Sequence, residues 1–241
     1  MMVLLVTMTA RRTDAGEVRQ KKGKIKMTEN KKCELTNETK EWCGYTLHRI
    51  KALKDFGAVK AGELGGWIES EHNLSQSGNC WIYDDAIASG NATVRERARV
   101  YGHAEVCGYA AICEYAAVGG RATVREHAIV CGYATVCDDA EICNDTVVCN
   151  DATICDDAEV CGNTDYTVVQ GFGRSQRVTT FYRLKDGDIG VSCGCFHGTI
   201  KQFRDKVKET HGDSKYAKEY LMLADLMELH FGEETKEENK I

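Results

Sequence analysis

The side chains with the widest chemical reach in this sequence are its 13 cysteines, and eight of them recur at one position of a six-residue pattern. Residues eighteen apart fall into the columns Cys113, Cys131, Cys149; Cys137, Cys155; and Cys143, Cys161. Thiols stacked at the ~4.8 Å spacing of neighbouring strands can take a soft metal or cross-link on oxidation. A soft metal wants convergent tetrahedral donors, however, and a flat ladder diverges. The columns are therefore expected to be packing, small β-compatible side chains on a covered face, and no metal site is assigned.

A second cluster, Cys193-Gly194-Cys195-Phe196-His197, has residue types that suit a metal or a nucleophile. It lacks the second ligand pair that zinc motifs carry, and a strand end turning into a helix is the expected account of it. Around it, cations are interleaved with aromatics, a composition that holds anionic ligands by charge and stacking. Arg177, Arg183, Lys201, Arg204, Phe181 and Tyr182 are the expected ligand-binding set. The acid pairs Asp84-Asp85, Asp138-Asp139 and Asp156-Asp157 offer calcium-type oxygens,. Asp also suits tight corners for backbone reasons, so a solvated acidic edge is expected there. His103 and His127 are the histidines of the patterned region and stand 24 residues apart.

What positions these side chains is a repeat. From Cys80 the sequence runs in unbroken hexads, CWIYDD, AIASGN, ATVRER and onward to AEVCGN, which ends at residue 163,. Position three is Val or Ile in thirteen of the fourteen, and position one is Ala in twelve. A β-branched residue pointing inward, an Ala where two faces meet, and a fifth residue that tolerates a left-handed corner describe one short strand and a bend. Three hexads make one turn, so residues 80–163 are expected to form a left-handed parallel β-helix, all-β, roughly 22 Å long,.

Such a solenoid needs caps. Residues 33–79 are read as the N-terminal one, with β-type content over 45–56 leading through glycines into Trp67, Ile68 and Leu74 as an irregular first coil. Residues 164–231 are read as a small ββαα module. It has strands over 177–184 and 189–196 joined by Lys185-Asp186-Gly187-Asp188, then helices capped by Thr199 and Ser214,. Its periodicity has no register with the coils, so it is expected to pack separately. Residues 1–32 and 232–241 are expected to be disordered, with Met1 or Met27 as the start,.

Charge narrows the partners. Residues 80–163 carry 5 basic and 14 acidic side chains, a surplus of nine negative charges that repels duplex nucleic acid,. No apolar run approaches the ~20 residues of a membrane span, and the apolar start followed by Arg11 and Arg12 reverses the order of a signal peptide,. The regular cysteine spacing fits a reduced, cytoplasmic protein. Ile87, Ile129, Val147 and the cysteine columns leave the flat outer faces apolar, which points to a homotrimer,.

The hexads resemble those of the hexapeptide-repeat superfamily, in which an aliphatic residue is followed four positions later by a small one, as in Val94 and Ala98 or Val124 and Ala128. Residues 47–86 resemble the leading segment of uncharacterised hexapeptide-repeat proteins of enterobacteria, gut bacteria and phages, some labelled transferases on fold alone. Residues 191–220 resemble a module at the C-terminus of phage and prophage proteins. The superfamily includes acyltransferases, nucleotide-sugar pyrophosphorylase domains, gamma-class carbonic anhydrases and structural proteins, so it implies a fold more than a task. For acyl transfer it implies acetyl-CoA in the groove between solenoids and His103 or His127 as general base. The loop that walls such sites in the family's enzymes has no counterpart in these hexads, and two histidines cannot supply the three zinc ligands of the anhydrases,.

The expected function is accordingly a non-catalytic homotrimeric scaffold or binding protein of phage or prophage origin, without a cofactor. An unknown protein or anionic small molecule would be held at the C-terminal module or in the inter-subunit groove. The alternative is a CoA-dependent acyltransferase, and a third reading is an antagonist of host defence that sequesters a ligand or binds an effector.

Overall fold

The structure, a computed structural model, describes residues 31–232. The extension up to residue 30, the alternative start at Met27 and the tail from residue 233 lie outside the described residues. Lys31 and Lys32, assigned from the sequence to the extension, belong to the cap. Lys31 pairs with Glu71 at 2.6 Å, and Lys32 is buried with its Nζ donating to the Cys80 carbonyl at 2.7 Å.

Each hexad contributes one two-residue strand, fourteen in all from β4 (Trp81–Ile82) to β17 (Glu159–Val160). Every strand pairs in parallel with those eighteen residues away: Val130 lies beside Ile112 on one side and Val148 on the other. Three parallel faces result, and the chain is a parallel β-solenoid. The third-position aliphatics and first-position alanines fill its interior essentially without exposure. At position five, thirteen of the fourteen residues, from Asp84 to Asp156, adopt a left-handed φ between 53° and 71°. Asp, Asn and Gly accept this readily, whereas Glu96, Glu114 and Glu126 are less obvious. Their carboxylates accept the corner amide of the next coil, from Glu114 N at 2.8 Å, Gly132 N at 2.8 Å and Asn144 N at 2.6 Å. The acidic corners are thus part of the coil-to-coil hydrogen bonding, since a charge-assisted bond offsets the backbone cost.

The N-terminal cap contains β1 (Cys33–Trp42), β2 (Tyr45–Ala52) and β3 (Leu64–Ile68). The hairpin of β1 and β2 extends one solenoid sheet antiparallel, while Trp67 and Ile68 pair in parallel with Ile87 and Ala88. Leu74 forms a parallel bridge with Val94 of the coil that follows. The strand β1 had no sequence signal, because its face is mostly solvated and CELTNETKEW has no apolar alternation,. Leu47 and Trp67 cover Ile87, so one of the residues assigned to a trimer face is buried by the chain's own cap.

The C-terminal module is α+β. Its antiparallel sheet runs β18 (Tyr166–Phe172), β19 (Arg177–Arg183), β20 (Ile189–Cys193) and β21 (Phe196–Thr199), followed by α1 (Ile200–His211) and α2 (Lys215–Phe231). Thr199 and Ser214 cap the helices, each side chain accepting a backbone N–H from three residues on,. The module does not pack separately, as the loss of register had suggested. Alternation along β19 sends Phe181 into the module's own core and Tyr182 into that of the solenoid,. Leu184 bridges Ala158, Lys185 N donates to the Asp157 carbonyl at 3.0 Å, and Thr153 N donates to Thr180 Oγ1 at 3.0 Å.

Candidate functional site

Within the module, the sheet and α1 leave a cleft of about 280 Å³ bordered by Arg174, Arg177, Lys206, His211, Phe196 and Tyr220. None of its lining residues is acidic. Arg177 packs its guanidinium over the turn at Gly194, where a Cβ would meet its Nη1 at 2.3 Å, so this glycine makes room for the cation. Gly194 also has φ +65°, which L side chains rarely adopt,. His211 stacks on Tyr220 with ring centroids 5.8 Å apart. Burial pushes the Tyr220 hydroxyl up to about 12, leaving it a neutral donor, and it gives its proton to the Phe172 carbonyl at 3.3 Å. Lys206 shares its ammonium with Glu209 at 2.9 Å, whereas both arginines are without a carboxylate partner among the ion pairs of the described residues.

Of the six residues expected to bind a ligand, Arg177 alone borders this cleft. Phe181 and Tyr182 are fully buried and offer no surface. Arg183 pairs with Asp165 at 3.2 Å and lies over the Phe231 ring, which holds the module together. Arg204 is clamped by Asp225 and Glu228, each at 2.8 Å, and Lys201 stands exposed on α1. Arg174, Lys206 and His211 complete the cleft instead. Only their neighbourhood to Arg177 through the fold gathers them, though the Arg174-x-x-Arg177 pair was visible in the chain.

His103 and His127 both project from exposed corners. His127 lies parallel to the Tyr109 ring at 4.9 Å, a stack one coil apart, and His103 is separate from it. Within one chain neither has a wall opposite it, and the hexads run without an extruded loop from Trp81 to Val160.

A second concentration of chemistry lies where the last coils meet the module. Cys155 is buried, with its sulfur 3.0 Å from His197 Nδ1 and 3.3 Å from the Tyr182 hydroxyl. Ser192 Oγ lies 2.9 Å from the same His197 nitrogen, and Tyr182 donates to Asp156 at 3.1 Å. The hydrogen bond from Cys137 holds the Cys155 thiol down at about 7 against the opposing effect of burial, helped by Tyr182. That same bond, with burial, raises Cys137. The Cys-Gly-Cys-Phe-His cluster is therefore split: Cys193 accepts from Thr179 Oγ1 at 3.2 Å, Cys195 is exposed, and only His197 reaches the solenoid. In the neighbouring column Cys143 and Cys161 are joined as a disulfide, their Cα atoms 4.6 Å apart.

Fold and hexad pattern together define a β-solenoid that fits the hexapeptide-repeat type, carrying a small α+β module. Over 57 residues the chain is 51% identical to the protein named uncharacterized acetyltransferase YdcK of Escherichia coli (strain K12). The match covers 23% of this chain and only 18% of that relative's length. No family model matches the chain. Among the described residues no helix is long and apolar enough to cross a membrane.

Proposed function

We propose that the protein is a non-catalytic binding protein in which the solenoid is a trimeric scaffold and the C-terminal module holds an anionic ligand in the Arg174–Arg177 cleft. One observation carries this reading: a concave, aromatic-floored cleft on the module with three cations and a histidine and no acid in its lining. Guanidinium groups without carboxylate partners favour phosphate or carboxylate, and the ring edges supply apolar contact. A volume of about 280 Å³ suits a phosphorylated or carboxylated fragment of modest size,. The acidic solenoid beside the module steers anions away from itself and toward the cleft.

Isothermal calorimetry with nucleotides, sugar phosphates and acetyl-CoA tests this. A ligand bound by wild type should lose at least tenfold in affinity in Arg174→Glu with Arg177→Glu, with the circular dichroism spectrum unchanged. Binding that survives the double reversal would refute the cleft as the site.

A second reading, acyl transfer from acetyl-CoA, is favoured by the partial match to a protein named as an acetyltransferase and by the hexapeptide-type coils. It would place His103 or His127 as base in a groove completed by an adjacent solenoid. Acetyl-CoA that raises the melting temperature of the Arg174→Glu, Arg177→Glu variant, with acetyl transfer lost in His127→Ala or His103→Ala, would favour it over the cleft.

A further inference from the structure

We infer that the seam between the last coils and the module is a soft-metal site, built from Cys137, Asp138 and Cys155 with His197 backing Cys155, which takes one zinc-like divalent cation. The two sulfurs and a carboxylate oxygen of Asp138 all lie within 4.8 Å of one another. Two ligands of one tetrahedral zinc with sulfur bonds of ~2.3 Å stand ~3.8 Å apart, so a small closure brings the three donors onto a common ion.

A cysteine ladder by itself diverges, and two features remove that objection here. The corner at Asp138, with φ +58°, turns its carboxylate back toward the column, and its oxygen lies 3.7 Å from the Cys137 sulfur. The module then sets His197 against Cys155, with Nδ1 3.0 Å from its sulfur, as a partner that orients the thiolate from outside the three-donor group,. Asp138 is also the corner acid that holds the next corner amide at the greatest distance. Its carboxylate accepts the next corner amide at 3.4 Å, against 2.6 to 3.0 Å at Asp84, Glu96, Glu114 and Glu126.

Donor chemistry selects the ion. Two thiolates and a single carboxylate suit zinc or cobalt, whereas calcium and magnesium call for oxygen shells that this seam lacks. Two thiolates and a carboxylate also bring three negative charges into a half-buried place, a cost that a dication offsets and an empty site meets by keeping protons. Because Cys137 and Cys155 belong to the coils and His197 to the module, the ion would tie the two together.

The test uses the full chain, reduced with a phosphine and freed of metal, titrated with cobalt(II). One equivalent should bind with the intense near-ultraviolet bands of sulfur-to-cobalt charge transfer. Zinc should displace it, and the melting temperature should rise. Cys137→Ser and Cys155→Ser should each lose these bands and at least 100-fold in affinity. Asp138→Asn keeps a residue type that tolerates the left-handed corner, so it should fold normally and lose about tenfold. Cys131→Ser, in the neighbouring column, should bind as wild type does. The inference is overturned if the reduced chain shows no charge-transfer bands, if Asp138→Asn and Cys155→Ser bind like wild type, or if the bands vanish instead with Cys193→Ser or Cys195→Ser.

Discussion

Replacing Val130 by Asp tests the inward assignment of position three at the middle of the solenoid. Val130 is fully buried, between Ile112 and Val148 of the flanking coils. The change removes an aliphatic burial of about 1.5–3 kcal/mol. It also places a carboxyl with no partner in an apolar stack, about 1–3 kcal/mol even when neutral. At pH 7 the group must in addition hold a proton that it would release in the unfolded chain. Raising its pKa by about three units above 3.9 corresponds to about 4 kcal/mol.

The sum, roughly 6–10 kcal/mol, is comparable with the whole stability of a typical domain, about 5–15 kcal/mol. The sign of the pH dependence follows from which state holds the proton. The folded pKa is raised above the unfolded one, so the native state binds the proton more tightly and the deficit against wild type shrinks as pH falls from 7 toward 4. Circular dichroism melts of wild type, Val130→Asp and Val130→Asn over that range measure this. Only the Asp variant should recover relative to wild type on acidification, by roughly 4 kcal/mol when fully protonated. A Val130→Asp chain that melts with wild type at pH 7, or whose deficit is independent of pH, would refute the inward stack.

At the corners, Glu114→Ala should destabilise by about 1–3 kcal/mol, because it keeps the strained φ of +57° and leaves the Gly132 amide without the acceptor that offset it,. Glu114→Gly, relieved of the backbone term, should cost less, and urea melts giving the reverse order would count against the strain argument. Tyr182→Ala should cost about 3–5 kcal/mol and loosen the module, whereas Tyr182→Phe loses only the contacts to Asp156 and Cys155, about 1–2 kcal/mol,. Proteolysis between residues 161 and 166 reads the difference, and equal protection in both variants would mean that ring burial does not dock the module. Burial and the neighbouring thiols push Cys131 up to about 11, so its alkylation rate, followed by peptide mass spectrometry, should climb tenfold per pH unit from 7 until near 11,. A plateau below pH 9 would contradict that. Light scattering at micromolar concentration should show a trimer, since Ile129 and Val147 remain half-exposed in one chain, and a monomer would remove the scaffold from the proposal,.

The solenoid was legible in the residues themselves. Its strands contact chain neighbours at a constant separation of eighteen, so every coil repeats the same local constraint: Val or Ile inward, Ala at the junction, a corner residue at left-handed φ. The two helices and their Thr199 and Ser214 caps were legible for the same reason, since a cap and an apolar face are local. The cap strand β1 was not, because a solvated edge strand leaves no alternation to read. Nor were the sites. The column of Cys137 and Cys155 follows from the repeat, but that His197 would reach it across 42 residues depends on how β19 divides Phe181 and Tyr182 between two cores. The cleft depends on the same packing, which buries two of the expected aromatic ligands, commits Arg183 and Arg204 to carboxylates, and leaves Arg174 and Arg177 unclaimed. Sequence spacing specifies contacts that recur at one interval; contacts between a repeat and a non-repeating module are set by burial and charge pairing in three dimensions, and those decided where the chemistry lies.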